Sequence, residues 1–191
     1  MMRLILASAS PRRADLLRAA GFSFDVVPVD LDEQLKAGEA PEAYVARLAD
    51  AKAAAVASTH PGAVVIGADT AVVVDGDVLG KPADPADAAR MLRRLGGRTH
   101  DVLTGVCACL GARRLRHVES SRVRIAPLSE TEIAWYVASG EPADKAGGYA
   151  IQGLASRFIE GIDGSYSNVV GLPMTAVCDL IKRLGCDILA S

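Results

Sequence analysis

Ser8-Ala9-Ser10-Pro11-Arg12-Arg13 puts two hydroxyls and two guanidiniums on one turn, directly after the apolar residues 4–7. The apolar run reads as a short buried strand. Ser10 suits an N-cap and Pro11 the first position of a helix over 11–20, which Gly21 would end. A helix N-terminus leaves N–H groups unpaired and carries the positive end of the dipole, so it favours an anion. Arg12 and Arg13 add two cations at that same end, which costs stability unless something negative joins them. A phosphate answers that need; two solvated surface arginines are the bland alternative.

Asp69 poses the complementary problem. It interrupts two strongly β-branched runs, 63–67 and 71–74, that read as buried strand. A carboxylate there needs a partner, a metal or a raised pKa, because burying an unpaired charge is too costly. A catalytic or metal-binding Asp69 is weighed above a structural Asp bracing a bulge. Lys52 lies four residues after Leu48 and four before Val56, on the apolar face of a helix predicted from Pro41 to about residue 59. It must meet an anion or snorkel to the edge. Arg47 and Asp50 point elsewhere on that helix and read as solvated.

Three further sites carry weaker signals. Asp30, Asp32 and Glu33 crowd a predicted strand end, either as a solvated acidic turn or with Glu33 holding a hard divalent cation through oxygen. Gly80-Lys81-Pro82 lets the backbone come close to a ligand and stiffens Lys81, which is otherwise a solvated turn lysine. Gln152 can donate and accept at a nucleobase edge, or cap backbone as an ordinary amide.

The elements that must position these residues alternate strand and helix signals along 191 residues, half of them hydrophobic. That is enough chain for one large domain or two small lobes with a substantial core. A strand is predicted over 22–29, a hairpin turn at Asp75-Gly76, and a helix capped by Asp84 that runs to Leu95. Strands follow at 102–110 and 115–125, joined around Gly111. Ser129-Glu130-Thr131-Glu132 is a capping box opening a helix to Ser139, on which Trp135 reads as a packing residue. The glycine-rich stretch 144–173 reads as loops lining a site. A helix over 172–184 and a short strand at 187–189 close the chain.

Composition narrows the functional classes. A net charge of −2 argues against a general nucleic-acid binder. No apolar run approaches a membrane span, and Arg12, Asp15 and Arg18 break any signal-peptide pattern, so a cytoplasmic location is expected. Cys107, Cys109, Cys178 and Cys186 form no C-x-x-C and read as buried thiols.

Ser8-Ala9-Ser10-Pro11-Arg12-Arg13, Gly67-Ala68-Asp69-Thr70 and Gly80-Lys81-Pro82 resemble motifs of the Maf family. Asp144-Lys145-Ala146-Gly147, Tyr149-Ala150-Ile151-Gln152-Gly153 and Gly171-Leu172-Pro173 continue the series in the family's order and spacing. The resemblance covers nearly the whole chain and reads 1–191 as a single Maf-like domain. It implies an α/β fold with a central mixed sheet, flanking helices and two lobes around a cleft, similar to the inosine triphosphatases. It implies a nucleoside triphosphate pyrophosphatase that needs a divalent cation, Mg²⁺ or Mn²⁺, and is often a homodimer; composition adds the expectation of no nucleic-acid or membrane partner.

Carried over by position, Asp69 matches the family's proton acceptor, and Ser8, Arg13, Lys52 and Lys81 its phosphate-handling residues. The catalytic set is Asp69, Lys52 and Lys81; Glu33 and Asp69 are the metal positions. Arg12, Thr70 and Gln152 match the dTTP/UTP branch, where the 7-methyl-GTP branch tends to carry a bulky aromatic and a glutamate at the first and last. A nucleotide-binding division or septum regulator without turnover is the alternative.

Overall fold

In the computed structural model, residues 3–187 are described. The sheet is mixed, in the order β2-β1-β3-β5-β6-β7, with β4 paired to β3. β1 (Leu4–Leu6) runs parallel to both β2 (Asp25–Val26) and β3 (Val64–Val74). β4 (Asp77–Leu79) is antiparallel to β3, and β7 (Ile159–Asp163) is antiparallel to β6 (Arg113–Ile125). β5 (Thr99–Leu110) lies between β3 and β6. Six helices accompany the strands: α1 (Pro11–Ala19), α2 (Pro41–Ala57), α3 (Pro85–Leu95), α4 (Glu130–Ala138), α5 (Tyr166–Val170) and α6 (Met174–Arg183). The chain divides into two compact units, and β3, β5 and β6 each contribute residues to both.

The first unit holds the described residues up to Asp69, with Thr104–Glu119 and the residues from Gly171. Alternation along β3 sends Val64, Ile66 and Ala68 to one face, where they pack with Leu17 of α1 and Leu180 and Ile181 of α6. Val65 goes to the other face with Ile5, Cys107, Cys109 and the small residues Ala49 and Ala53 of α2. The layering is helix, sheet, helix, as two-faced burial requires. α1 ends as predicted at Gly21: its φ is 82°, Gly21 N–H donates to Arg18 O and Phe22 N–H to Leu17 O, a Schellman closure.

α2 lies unusually close to the sheet because two strand glycines admit it. A Cβ on Gly67 would sit 2.3 Å from Ala49 O and 2.6 Å from Ala53 N. One on Gly105 would sit 2.3 Å from Val45 O. Both obstacles are main chain and cannot rotate away.

The second unit comprises Thr70–Leu103 and Ser120–Val170. Its core joins Val72 and Val74 of β3 to Met91, Leu92 and Leu95 of α3 and Ile133 and Tyr136 of α4. Asp84 Oδ1 caps α3 by accepting from Asp87 N–H at 2.8 Å, and the Ser129–Glu132 capping box is formed. Asp75 and Gly76 take φ of 54° and 82°, the left-handed pair a two-residue hairpin demands.

Several expectations need correction. Asp69 does not break the strand; β3 runs through it unbroken. The strand predicted over 22–29 shrinks to Asp25–Val26 on β1, an edge position where Pro28 cannot donate. Residues 144–173 are not all loop: 3-10 turns at Ala146–Gly148 and Leu154–Phe158 precede β7 and α5. β7 went unread because it is short, contains Gly161 and gains its order from pairing with β6. Trp135 is 41% exposed, meeting Phe158 edge-on with the Arg157 guanidinium over its ring. The terminal strand expected at 187–189 lies, but for Asp187, outside the described residues.

Gly67→Ala is expected to destabilise the fold by about 3 kcal/mol, since overpacking meets rigid backbone. For a chain of this length that is a melting temperature lowered by roughly 6–12 °C, readable by calorimetry. An unchanged melting temperature would show that α2 can move off the sheet.

Candidate active site

The close seat of α2 decides where Lys52 goes. Gly67 and Asp69 are two apart on β3 and so face the same side, towards α2. Lys52 Nζ donates to Asp69 Oδ1 at 2.7 Å, with the two side chains only 8% and 10% exposed. The same ammonium reaches Glu33 Oε1 at 2.6 Å, and Glu33 is 42% exposed. The anion required by a lysine on an apolar face is therefore a pair of carboxylates, one buried and one at the surface.

Burial raises the Asp69 pKa above its ordinary value; Lys52, Arg13 and the hydrogen bond from Lys52 pull against that rise, and Glu33 adds to it. Burial of the charged form wins, so at neutral pH Asp69 is a more basic carboxylate than one in water. Its sign for stability follows. A pKa raised in the fold favours the native state at low pH, and that contribution is lost as pH rises through the folded value. The charged Asp69 thus weighs against the fold at neutral pH, as perturbed carboxylates at functional sites do.

Ser8 and Arg13 build the neighbouring wall from the strand-to-helix turn. Ser8 Oγ accepts from Ser10 N–H at 3.2 Å and from Arg13 Nη1 at 3.1 Å, while Arg13 Nε donates to Gly171 O at 2.7 Å. Ser10 occupies the N-cap position without a side-chain cap bond; the hydroxyl that ties the turn together belongs to Ser8. Arg13 is 9% exposed, and its pKa is lowered by burial against the opposing pull of Asp69. A guanidinium stays charged regardless. Arg12, on the same turn, is half-buried. Ser8, Arg13, Lys52, Asp69 and Glu33 thus belong to one unit.

Glu33 is held in place by residues that no single-position signal revealed. Tyr44 Oη donates to Glu33 O at 3.0 Å, and Arg47 Nη2 to Gln34 O at 3.1 Å. Arg47 also grips Glu39 with two bonds of 2.6 and 2.7 Å, and its guanidinium stands 5.7 Å from the Tyr44 ring centroid. The Arg47 hydrogen bonds hold the Glu39 carboxyl down at about 2. Burial, with the charges of Asp69 and Glu33, pushes the Tyr44 phenol up to about 12. Arg47 is therefore not solvated, as its helical position implied, but binds the acidic loop to α2. Asp50 also differs from expectation: it takes Arg116 at 2.8 Å and the Cys107 thiol at 3.4 Å. A Glu just before a helix and an Arg two turns inside it were the available signal.

Thr70, Lys81 and Gln152 belong to the second unit. Thr70 follows Asp69 along β3 and is half-buried; Lys81 and Gln152 are exposed. The Lys81 turn is tied to the Asp144–Gly147 motif where Gly147 N–H donates to Gly80 O at 3.0 Å.

Among the described residues no group of three or more His, Cys, Asp or Glu side chains could hold a metal. Glu33 and Asp69 offer two hard carboxylates on one ammonium. That donor set fits Mg²⁺ or Mn²⁺, which take one or two carboxylates and complete their shell with water and phosphate oxygens. A buried basic carboxylate beside a guanidinium, a hydroxyl and an ammonium can deprotonate water next to a stabilised phosphoryl group.

The family model for Maf-like proteins matches residues 3–184. A protein of Koribacter versatilis named dTTP/UTP pyrophosphatase is 54% identical, over 96% of this chain and 95% of its own. One of Symbiobacterium thermophilum with the same name is 52% identical, over 98% and 97%. Among solved structures, a HAM1 protein from Coxiella burnetii aligns over 97% of this chain and 99% of its own at a TM-score of 0.53 and 16% identity, a likeness of fold.

The carboxyl of Asp69, followed by carbon-13 NMR, is expected to titrate above the ordinary aspartate value. Lys52→Met should move that midpoint further up, because the ammonium lowers it now. A midpoint in the ordinary range, or one that falls in the variant, would overturn the assignment.

Proposed function

The chain belongs to the Maf family, and from that footing we propose that it hydrolyses dTTP and UTP to the monophosphate and pyrophosphate. What carries this is the buried Asp69 on Lys52, with Arg13 and Ser8 beside it, in a chain about half identical over nearly its full length to proteins named for that reaction. The single family match running through both units supports reading 1–191 as one Maf-like domain.

Asp69 takes the proton of the attacking water, and its burial gives it the basicity to do so. As water attacks, the α–β phosphoanhydride breaks and pyrophosphate carries away the bond electrons. Arg13, oriented by Ser8 and Gly171 O before substrate arrives, meets the charge that develops on the phosphates with little reorganisation. Lys52 keeps Asp69 and Glu33 together and balances their charge. A divalent cation, Mg²⁺ or Mn²⁺, would be held by Glu33 and Asp69 and would neutralise phosphate charge. Lys81 is assigned to the phosphates, and Arg12, Thr70 and Gln152 to the nucleoside. The family resemblance also supports a homodimer; no helix among the described residues is long and apolar enough to cross a membrane.

Pyrophosphate release from dTTP, UTP, CTP, GTP and 7-methyl-GTP with Mg²⁺ or Mn²⁺ tests the proposal. Fast release is expected from dTTP and UTP, lost on chelation and reduced at least about 10²–10³-fold in Asp69→Asn. Binding without release from any of the five would overturn it in favour of a nucleotide-binding regulator. The base must be deprotonated, so kcat/KM should fall as pH drops through the Asp69 pKa. Glu33→Gln should raise the Mg²⁺ concentration needed for half-maximal rate.

A further inference from the structure

We propose that Glu141 and Tyr136 are positioning residues that fix the turn presenting Gln152 and thereby set the choice between uracil-type and cytosine bases. The proposal rests on the reading of Gln152 as the base-reading residue.

Gln152 is exposed, yet both flanks of its turn are anchored, each by its own side chains. On the downstream side Leu154 N–H donates to Glu141 Oε2 at 3.0 Å, and Ala155 N–H approaches Glu141 Oε1 at 3.4 Å. The carboxylate caps the first free N–H groups of the 3-10 turn Leu154–Phe158. Tyr136, fully buried on α4, donates its hydroxyl to Glu141 Oε1 at 2.9 Å. On the upstream side the chain is anchored by the buried ring of Tyr149. Residues 150–153 are therefore strung between two anchors, Tyr149 before them and the Glu141–Tyr136 contact after them.

The remaining contacts stiffen both anchors. Glu141 N–H donates to Ser139 Oγ at 3.2 Å, and the Tyr136 ring meets Phe158 edge-on at 5.9 Å. Tyr149, one residue before Ala150, is 6% exposed and holds its hydroxyl 2.6 Å from His100 Nε2. Gly153 leaves any substitute strained: its φ is 90°, and a Cβ would lie 2.6 Å from Glu141 Oε2 and push the carboxylate away. The glycine lets the carboxylate come up against the turn.

Base chemistry supplies the reason for such rigidity. The uracil and thymine edge offers an N–H donor beside a carbonyl acceptor, and the cytosine edge offers the reverse. A primary amide carries one acceptor and one donor group, so a freely placed glutamine satisfies either edge by rotating half a turn. Discrimination needs the amide held to within ~10–20° by its supporting shell. The anchors on either side of Gln152 fix the backbone from which the amide reaches the base, and neither Glu141 nor Tyr136 need touch substrate.

The test compares kcat/KM for UTP and CTP in the full-length protein. Tyr136→Phe removes one hydroxyl and should lower the UTP/CTP ratio roughly ten-fold, the upper effect of one hydrogen bond. Glu141→Ala should lower it further, and Glu141→Gln, which keeps an acceptor for Leu154 N–H, should recover part of it. Gln152→Ala is the control: a ratio unchanged there overturns base reading by Gln152 itself. If Gln152→Ala collapses the ratio while Tyr136→Phe and Glu141→Ala leave it intact, the positioning proposal alone fails. Adding Tyr136→Phe to Gln152→Ala should change the ratio no further; a full additional loss would also overturn the proposal. Should Glu141→Ala not fold, Tyr136→Phe decides the matter.

Discussion

The chemistry of the first unit depends on how near a helix can come to a strand. With side chains at 67 and 105, the backbone of α2 could not lie where it does, because Ala49 O and Val45 O occupy the space. Removing those side chains lets Lys52 reach Asp69 without leaving the apolar interface. The pair is then buried at 2.7 Å. Buried ion pairs gain little net stability, since desolvation offsets attraction, but removing one partner strands the other at a cost of about 3–5 kcal/mol. Close packing therefore does more than fill volume: it makes a basic carboxylate tolerable inside a fold.

The contrast with the other charges is instructive. Arg93 with Glu130, Arg98 with Asp75, and Arg124 with Glu160 form pairs exposed on both sides, each worth little to stability in water. Arg13 differs from these in kind. Its guanidinium is buried and two of its donors are committed to Ser8 and to Gly171 O. Orientation, not the presence of positive charge, separates a residue that can act on phosphate from one that merely solvates a surface.

Much of the candidate site was legible in the sequence because its residues break local rules. A carboxylate inside a β-branched strand, a lysine on an apolar helix face and two arginines at a positive helix end each demanded an explanation, and those violations fell on Asp69, Lys52 and Arg13. The helices α1, α2, α3, α4 and α6 were readable because their caps and apolar faces are local properties. Tyr44, Arg47 and Glu39 were not, since each obeys the rules at its own position and acts only through partners across a loop. Asp50 looked solvated for the same reason: its partners come from β6 and β5. β7 and the 3-10 turns after Gly140 draw their order from tertiary contacts that periodicity does not register.

The grip of Tyr44 and Arg47 has a consequence for how this protein can vary. Glu33 follows β2 in the chain, but its carbonyl and that of Gln34 are bonded to α2. Mechanically the carboxylate belongs to the helix that comes after it. Drift in the edge strand β2 is thus screened from the Lys52–Asp69 pair, whereas a change at Tyr44 or Arg47 reaches Glu33 in one step. In a diverging lineage the exposed strand is free to wander while the helix that looks like scaffold is held fast.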